Sequence, residues 1–286
     1  MKINKNMKIL IIGLGLIGGS YASILSKKGY EVGAITLNKE DIDYAINNKI
    51  IKHGKTKVSK KYISTFDVVI FALYPKTFVE FIKKYHCYFK NNAIISDVSG
   101  VKESIVYKIQ DLLKDDNVEF ISCHPMAGKE VSGVKNASCD LFKNANFIIT
   151  PTSKNSNEAI EFATSLAKEL EFANVSTLSV EKHDEMIAFL SQLTHCIAIT
   201  LMTCNDSTHL KDYTGDSFRD LTRIASINEN MWSELFMLNK EKLIEQMNLF
   251  EKQFKILKDY IEKEDVDSMK QMMKLSTYRR SFFNKK

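Results

Sequence analysis

The stretch Met7-Lys-Ile-Leu-Ile-Ile-Gly-Leu-Gly-Leu-Ile-Gly18 decides the fold of this chain. Its apolar first half predicts a buried strand, and the glycines that follow have the spacing G-x-G-x-x-G. Gly13 permits a tight turn, Gly15 has no Cβ to obstruct a phosphate, and Gly18 allows the following helix to pack closely on the strand. Free N–H groups at the start of that helix attract an anion. The sequence therefore predicts a dinucleotide pyrophosphate site formed by Gly13, Gly15, Leu16, Ile17 and Gly18.

The first part of the chain alternates strand-like and helix-like segments. Strands are predicted at 7–12, 30–36, 67–73, 93–97, 118–123, 146–150 and 172–177, and helices at 16–28, 40–48, from Pro75, 101–113 and 157–170. Strands that alternate with crossover helices form a parallel sheet, and wholly apolar strands are buried on both faces. We therefore predict an α/β fold over residues 1–179, with a doubly wound, mostly parallel sheet of the Rossmann type, as a dinucleotide-binding domain.

The remaining residues, 180–286, contain no segment with the pattern of a strand. Helices are predicted at 181–205, near 216–225, at 229–261 and at 265–282. A helix as long as 231–261 rarely buries its apolar stripe alone. We therefore expect an all-helical C-terminal domain that binds substrate and packs on a second copy, giving a homodimer. Packing within the single chain is the alternative.

The composition limits the classes of partner. The 286 residues have a formal net charge of +5, and basic residues are scattered, which is not the pattern of a nucleic-acid-binding protein. No apolar run has the length expected of a membrane span or secretory signal. The five cysteines form no C-x-x-C pair, so free thiols in a reducing compartment are expected, and no metal site is predicted. These features predict a cytoplasmic protein that binds neither nucleic acid nor membranes.

The residue that follows the second strand bears on the choice of dinucleotide. NAD-binding proteins usually have Asp or Glu there, bound to the adenosine ribose, but this chain has Thr36. A threonine hydroxyl can bind a ribose hydroxyl or a phosphate, and Lys39 lies close enough in sequence to meet a 2′-phosphate. Glu40 and Asp41 come slightly later. The sequence leaves NAD and NADP both open as cofactors.

Four further segments carry polar side chains where ligands bind. They are Asp97-Val-Ser-Gly-Val-Lys102, His124-Pro-Met-Ala-Gly-Lys-Glu130, Ser191-Gln-Leu-Thr-His195 and Ser217-Phe-Arg-Asp-Leu-Thr-Arg223. The first two follow predicted strands at their carboxyl ends, the edge where open α/β sheets bind ligands. Together with the glycine-rich opening, the ordered set and its spacing resemble the prephenate dehydrogenase family and its close arogenate relatives. The resemblance spans nearly the whole chain and includes no fused regulatory or mutase domain.

The resemblance implies an NAD(P)-dependent oxidoreductase of tyrosine biosynthesis. Hydride would leave the ring carbon that bears the 4-hydroxyl group of prephenate, and the ring carboxylate would leave as CO2, giving 4-hydroxyphenylpyruvate. Aromatisation favours this oxidative decarboxylation, so the protein mainly positions and polarises the substrate. Arogenate, with an amino group in place of the side-chain keto group, is the alternative substrate.

The resemblance also implies roles for individual residues. His124 accepts the proton of the substrate 4-hydroxyl group, a role that suits a neutral imidazole. Arg223 holds the ring carboxylate through its planar guanidinium, and Arg219, one helical turn earlier, contacts the substrate side chain or lies on the surface. His195 lies near the substrate side chain, and Glu130 lies at the entrance of the site.

The segment after Asp97 departs from the family pattern. Many members read Gly-Ser where this chain has Ser99-Gly100, and in those members the serine hydrogen-bonds the catalytic histidine. Two alternatives follow: Ser99 takes that catalytic role along a different backbone path, or a water molecule takes its place. Lys102 is expected either to contact a phosphate or ribose or to be a solvated residue at a helix start. Four other histidines are expected on the surface: His53, His86, His183 and His209.

Two rival functions differ in the residues that they need. A β-hydroxyacid dehydrogenase would have a catalytic lysine on the first helix after the sheet, whereas this chain has no lysine from His183 to Thr208. A dinucleotide-sensing protein without turnover would need the glycine-rich loop but neither His124 nor Arg223. The presence of both residues favours an enzyme.

Overall fold

Eight strands form a single sheet in the computed structural model, which describes residues 1–283. The strands are β1 (Lys8–Ile12), β2 (Glu31–Ile35), β3 (His53–Lys55), β4 (Val68–Phe71), β5 (Ala93–Asp97), β6 (Val118–Met126), β7 (Asn146–Thr150) and β8 (Asn174–Thr177). Their order is β3-β2-β1-β4-β5-β6-β7-β8, and β7 is antiparallel to β6 whereas the other pairs are parallel. The predicted mostly parallel, doubly wound sheet is confirmed.

Six helices lie between the strands. They are α1 (Leu16–Lys27), α2 (Lys39–Asn47), α3 (Lys60–Ile63), α4 (Pro75–Tyr85), α5 (Val106–Leu112) and α6 (Asn157–Glu169). Local chemistry sets where several of them begin. Pro75 occupies the first turn of α4, where its missing N–H leaves no hydrogen bond unmade. The hydroxyl of Ser156 accepts a hydrogen bond from the amide of Ala159 at 3.1 Å and so caps the start of α6.

The core lies on both faces of the sheet. Successive side chains of a strand point to opposite faces. Ile9 and Ile11 of β1 accordingly join one buried cluster, which includes residues of α1, α2 and α6. Leu10 and Ile12 join another, which includes residues of α4 and α5. Burial on both faces explains why β1 is apolar without alternation.

After β8 the described chain is helical. Its helices are α7 (Val180–Ile187), α8 (Thr194–Thr203), α9 (Asp216–Thr222), α10 (Glu229–Leu238), α11 (Lys240–Glu262) and α12 (Val266–Ser281). A π-helical segment, Ala188–Leu193, joins α7 to α8, so that one continuous helix extends over Val180–Thr203. The helix predicted at 181–205 is thus confirmed.

The single helix predicted at 229–261 is wrong, because Asn239 divides it into α10 and α11. Asn239 is buried, and its side-chain amide donates to the Asp184 carbonyl oxygen at 2.9 Å and to Gln192 Oε1 at 2.8 Å. Its backbone, at φ −122° and ψ 27°, is not helical. Tertiary hydrogen bonds therefore override the helical pattern of the sequence at this point.

The helix Val180–Thr203 is long and apolar enough to cross a membrane, judged by length and composition alone, because an 18-residue window within it has a mean hydropathy of 1.6. The expectation that no run would have this length is therefore wrong. Helices of soluble proteins pass the same test. Three polar side chains of this helix form tertiary hydrogen bonds with other parts of the folded unit, namely those of His183, Asp184 and Gln192.

The chain divides into two compact units, one from Met1 to Asn239 and the other beginning at Lys240. The first contains the sheet, its helices and α7 to α10. The second contains α11 and α12. The glycine-rich loop and all four polar segments of the sequence lie in the first unit.

Candidate active site

The glycine-rich loop connects β1 to α1 at the carboxyl edge of the sheet. Gly13 has a φ of +102°, and a Cβ there would lie 2.3 Å from the Ala72 carbonyl oxygen. A Cβ at Gly18 would lie 2.0 Å from the Gly13 carbonyl oxygen, so the helix start packs closely on the loop. At Gly15, by contrast, a Cβ would meet nothing within 4 Å. Gly13 and Gly18 thus serve the fold, whereas Gly15 leaves space for a ligand.

The start of α1 fits a pyrophosphate group. Gly15 is the N-cap residue, no side chain caps the first N–H groups, and the first turn has no acidic residue. Free amides and the positive end of the helix dipole bind anions. Leu16 is buried and Ile17 is half-buried, so the loop presents its backbone to a ligand. These features suit a dinucleotide cofactor.

The end of β2 lies beside this loop, because the Gly13 amide donates to the Ile35 carbonyl oxygen at 2.9 Å. Thr36, the next residue, is half-buried, and Leu37 is 94% exposed. Asn38 caps α2 by accepting a hydrogen bond from the Glu40 amide at 2.8 Å. Thr36 therefore stands where an acidic residue would select NAD, and this edge is compatible with both NAD and NADP.

His124 lies near the carboxyl end of β6 and is held through one ring nitrogen. Its Nδ1 lies 2.8 Å from Nε2 of His183 on α7, and His183 Nδ1 lies 2.7 Å from Asp184 Oδ1. His183 and Asp184 are buried, with exposures of 0% and 1%. The expectation that His183 lies on the surface is therefore wrong. These three residues form a hydrogen-bonded row, which we call the His–His–Asp triad.

Burial and a neighbouring positive charge keep both histidine rings neutral. Burial lowers the pKa of His124 well below its ordinary value, and His183 and Lys102 lower it further. Burial also lowers the pKa of His183, although the hydrogen bond to Asp184 opposes this shift. A neutral ring on His124 is able to accept a proton.

The Asp184 carboxylate fastens α7 to the loop that follows β5. Its Oδ1 accepts a hydrogen bond from the Lys102 amide at 2.8 Å, and its Oδ2 accepts one from the Glu103 amide at 2.9 Å. With the bond from His183, this carboxylate accepts three hydrogen bonds in a buried place. The helix that carries His183 is thereby held against the sheet edge that carries His124.

Lys102 is fully buried, which contradicts both expectations for it, a ligand contact and a solvated side chain. Its Nζ donates to Asp97 Oδ2 at 2.9 Å and to the Cys123 carbonyl oxygen at 2.6 Å. Asp97 also accepts hydrogen bonds from the Ser122 hydroxyl at 2.6 Å and the Ser99 amide at 3.0 Å. This ion pair ties the loop after β5 to β6, one residue before His124.

A second cluster joins the other polar segments. Arg223 donates a hydrogen bond to the Glu130 carboxylate, and the Arg223 side chain is 63% exposed, so its guanidinium is accessible to a ligand. His195 Nδ1 donates to the Ser191 carbonyl oxygen at 2.9 Å, and its ring lies 3.7 Å from the Trp232 ring, centroid to centroid. Burial lowers the pKa of His195, the bond to Ser191 and the charge of Glu130 raise it, and Arg223 lowers it.

Comparison with known proteins identifies the family. A sequence profile described as "Prephenate dehydrogenase, nucleotide-binding domain" matches residues 21–175, and one described as "Prephenate dehydrogenase, dimerization domain" matches residues 179–275. This chain belongs to the prephenate dehydrogenase family. Membership of this family makes it an oxidoreductase that uses NAD(P)+.

Relatives of the prephenate dehydrogenase family match almost the whole chain. The prephenate dehydrogenase of Bacillus subtilis (strain 168) is 29% identical over 271 residues, covering 91% of this chain and 72% of the relative. That of Lactococcus lactis subsp. cremoris (strain MG1363) is 32% identical over 251 residues, covering 86% and 68%. The crystal structure of prephenate dehydrogenase from A. aeolicus in complex with hydroxyphenyl propionate and NAD+ is 29% identical, covers 97% of this chain and 98% of that one, and has a TM-score of 0.87.

In this member of the prephenate dehydrogenase family, Gly100 and not Ser99 faces His124. A Cβ at Gly100 would lie 3.8 Å from His124 Nε2 and 3.7 Å from a methyl carbon of Leu235. The Ser99 hydroxyl is buried and has no hydrogen-bond partner within residues 1–283. The structure therefore does not bring the Ser99 hydroxyl to His124, and a catalytic role for Ser99 stays a prediction.

Arg219 forms an ion pair within its own helix. Its guanidinium donates to Asp216 Oδ1 at 3.3 Å on its own helix, and both side chains are exposed. Its predicted contact with the substrate side chain stays a prediction. Sequence reasoning did not single out Asp184, and it placed His183 and Lys102 in other environments, although all three are buried.

Proposed function

We propose that this chain oxidises and decarboxylates prephenate to 4-hydroxyphenylpyruvate and CO2, with NAD+ or NADP+, in tyrosine biosynthesis. The observation that carries the proposal is a neutral histidine at the nucleotide-binding edge of the sheet. His124 lies at the end of β6, and its Nε2 faces Gly100 on the loop after β5. A neutral ring there is placed to accept the proton of a substrate hydroxyl group.

The cofactor would be held by the backbone of the loop at Gly13, Gly15, Leu16, Ile17 and Gly18, with Thr36 at the adenosine ribose. When bound, NAD(P)+ supplies the hydride acceptor. His124 accepts the proton of the 4-hydroxyl group on Nε2. Because Nδ1 is already bound to His183, the incoming proton meets the free nitrogen of a ring whose orientation is fixed.

Substrate binding falls to the second cluster. Arg223 presents a planar guanidinium with five N–H donors, a shape that binds a carboxylate through two parallel hydrogen bonds. Its bond to Glu130 engages one of its terminal nitrogens and turns the group toward the loop after β6. We assign the ring carboxylate to Arg223, and the substrate side chain to His195, with Glu130 at the entrance and Arg219 as a further contact.

We also propose the domain division and the assembly. Residues 1–179 form the dinucleotide-binding domain, and residues 180–286 form a domain through which two copies pair as a homodimer in the cytoplasm. Support comes from large apolar side chains that each unit leaves exposed, such as Phe189 and Leu190 in the first and Phe254 and Ile261 in the second. The dimerization-domain profile matches residues 179–275. Exposed apolar surface of this kind marks protein interfaces.

One assay tests the proposed activity. Purified protein is mixed with prephenate or arogenate and with NAD+ or NADP+, reduction of the cofactor is followed at about 340 nm, and the organic product is identified by chromatography. Turnover of prephenate to 4-hydroxyphenylpyruvate is expected. A strong preference for arogenate would change the substrate, and no turnover in any of the four combinations would overturn the enzymatic proposal.

A further inference from the structure

We propose that His183 and Asp184 are positioning residues that fix the tautomer of His124, leaving the lone pair on Nε2 toward the substrate. The proposal rests on the proposed function, in which His124 accepts the substrate proton. It follows from the direction of each hydrogen bond in the His–His–Asp triad, starting from Asp184.

In its carboxylate form, Asp184 accepts hydrogen bonds and cannot donate them. Two of its partners, the amides of Lys102 and Glu103, are donors by nature and lie at 2.8 and 2.9 Å from its two oxygens. The third partner is Nδ1 of His183 at 2.7 Å. The hydrogen between these two residues must therefore sit on Nδ1 of His183.

A neutral imidazole carries one hydrogen, so a His183 ring protonated on Nδ1 has a lone pair on Nε2. His183 is fully buried, and burial lowers its pKa, which favours the neutral ring. Its Nε2 then accepts a hydrogen bond from Nδ1 of His124 at 2.8 Å. The single hydrogen of a neutral His124 is thereby placed on Nδ1, and its Nε2 is unprotonated.

The unprotonated nitrogen faces the loop after β5. A Cβ at Gly100 would lie 3.8 Å from it, and among residues 1–283 no hydrogen bond to this nitrogen is found. Gly100 has no hydroxyl group to orient the ring from this side. The orientation and the tautomer of His124 therefore depend on His183, on the opposite nitrogen.

The triad also receives the charge that forms during the reaction. The substrate O–H bond would break and an N–H bond would form on His124 Nε2, while an electron pair of the oxygen forms a C=O bond as the same ring carbon gives up hydride to a bound NAD(P)+. CO2 would then leave, and the electron pair of its bond would complete the aromatic ring and return charge to the oxygen, which regains the proton held meanwhile by His124 as an imidazolium. The resulting imidazolium is hydrogen-bonded to His183, which is bound to the Asp184 carboxylate. Lys102 and Asp97 are the other charged groups that act on His183, and they form an ion pair with each other at 2.9 Å.

The decisive variant is Asp184→Asn. A carboxamide can donate through its nitrogen. With that nitrogen at the position of Oδ1, both hydrogen bonds of the row reverse, the Lys102 amide loses its acceptor, and the hydrogen of His124 lies on Nε2, where the ring cannot accept a proton. We expect kcat for prephenate to fall by about 10²–10⁴-fold, the effect typical of a base in the wrong tautomer or of a lost base. KM and the affinity for NAD+ are expected to change by less than about threefold, because neither residue contacts substrate or cofactor in this proposal.

The matched control is Glu185→Gln, the same carboxylate-to-carboxamide change at the next position of α7. Glu185 is half-exposed and pairs with Lys182, so this variant is expected to retain the wild-type kcat. Equal losses in Asp184→Asn and Glu185→Gln would overturn the proposal, since they would reflect a general effect on the helix. An unchanged kcat in Asp184→Asn would overturn it as well.

A second measurement needs no turnover and does not depend on Asp184→Asn. Long-range ¹H–¹⁵N NMR spectra of the protein with ¹⁵N-labelled histidine distinguish protonated from unprotonated ring nitrogens. The wild-type His124 signals, assigned by their loss in His124→Asn, are expected to show hydrogen on Nδ1. Hydrogen on Nε2 at neutral pH would overturn the proposal even if Asp184→Asn does not fold. If the wild type turns over neither prephenate nor arogenate, the proposed function fails, while this spectrum still decides the tautomer.

Discussion

Replacing Lys102 by methionine tests whether the buried ion pair holds the site together. Lys102 Nζ makes two hydrogen bonds, to Asp97 Oδ2 at 2.9 Å and to the Cys123 carbonyl oxygen at 2.6 Å, and both side chains of the ion pair are 0% exposed. Methionine fills a similar volume but leaves the Asp97 carboxylate buried without a counter-charge. Breaking such a pair costs about 3–5 kcal/mol. Two hydrogen bonds to charged groups, at about 1.5–3 kcal/mol each, give a similar range.

Urea denaturation followed by circular dichroism measures this loss. If the free energy of unfolding falls by about 3 kcal/mol per molar of urea, the urea concentration at the unfolding midpoint is expected to fall by about 1–1.7 M. Lys114→Met is the control, because Lys114 forms an exposed pair with Asp111 at 3.5 Å, and it is expected to change stability by less than about 0.5 kcal/mol. A loss below about 1 kcal/mol in Lys102→Met would refute the reasoning. Removing the positive charge is also expected to raise the pKa of His124 and move the acid limb of kcat/KM to higher pH.

Three further predictions concern the ligand sites. Gly15→Ala is expected to keep the wild-type melting temperature but to bind NAD+ more weakly in a fluorescence titration. Gly18→Ala should unfold at a lower temperature, because its Cβ would clash with a backbone oxygen at 2.0 Å. The reverse pattern would contradict the assignment of the loop. Arg223→Ala should lose about 2–5 kcal/mol of transition-state stabilisation in kcat/KM, chiefly through KM, and an unchanged KM would exclude the carboxylate contact. Trp232, the single tryptophan, should report protonation of the adjacent His195 ring by quenching. The midpoint should lie below pH 6.5 because burial lowers the pKa of His195, and a midpoint above 6.5 would contradict this.

The parts of the fold that follow from local pattern could be predicted. The apolar strands β1 and β5 and the helices α1 and α6 lie where their patterns indicate, because burial on both sheet faces and glycine or serine at the helix starts are written into the sequence. The short strand β3 has too few residues for a pattern. The division at Asn239 depends on hydrogen bonds to Asp184 and Gln192, which no local pattern reveals.

The residues of the site likewise fall into those that a motif predicts and those that depend on tertiary contacts. His124 and Arg223 could be found because they belong to motifs, whereas the buried supports His183 and Asp184 belong to none. A signal for the supports was present nonetheless: Val180, His183, Asp184, Ile187 and Ala188 form the buried stripe of α7 and the turn after it, spaced as one helix face. Two polar residues in such a stripe require buried partners. The identity of those partners depends on the contact between the helix and the sheet.

The His–His–Asp triad joins the sheet to the first helix that follows it, and this has a consequence during synthesis. Domains generally fold from the N-terminus as the chain emerges from the ribosome. Residues 1–179 already contain the glycine-rich loop and His124, whereas His183 and Asp184 come later. The residues that orient His124 in the proposed function are therefore synthesised after the residue that they orient. His124 would gain its fixed orientation only after the helix Val180–Thr203 had packed on the sheet within the unit Met1–Asn239.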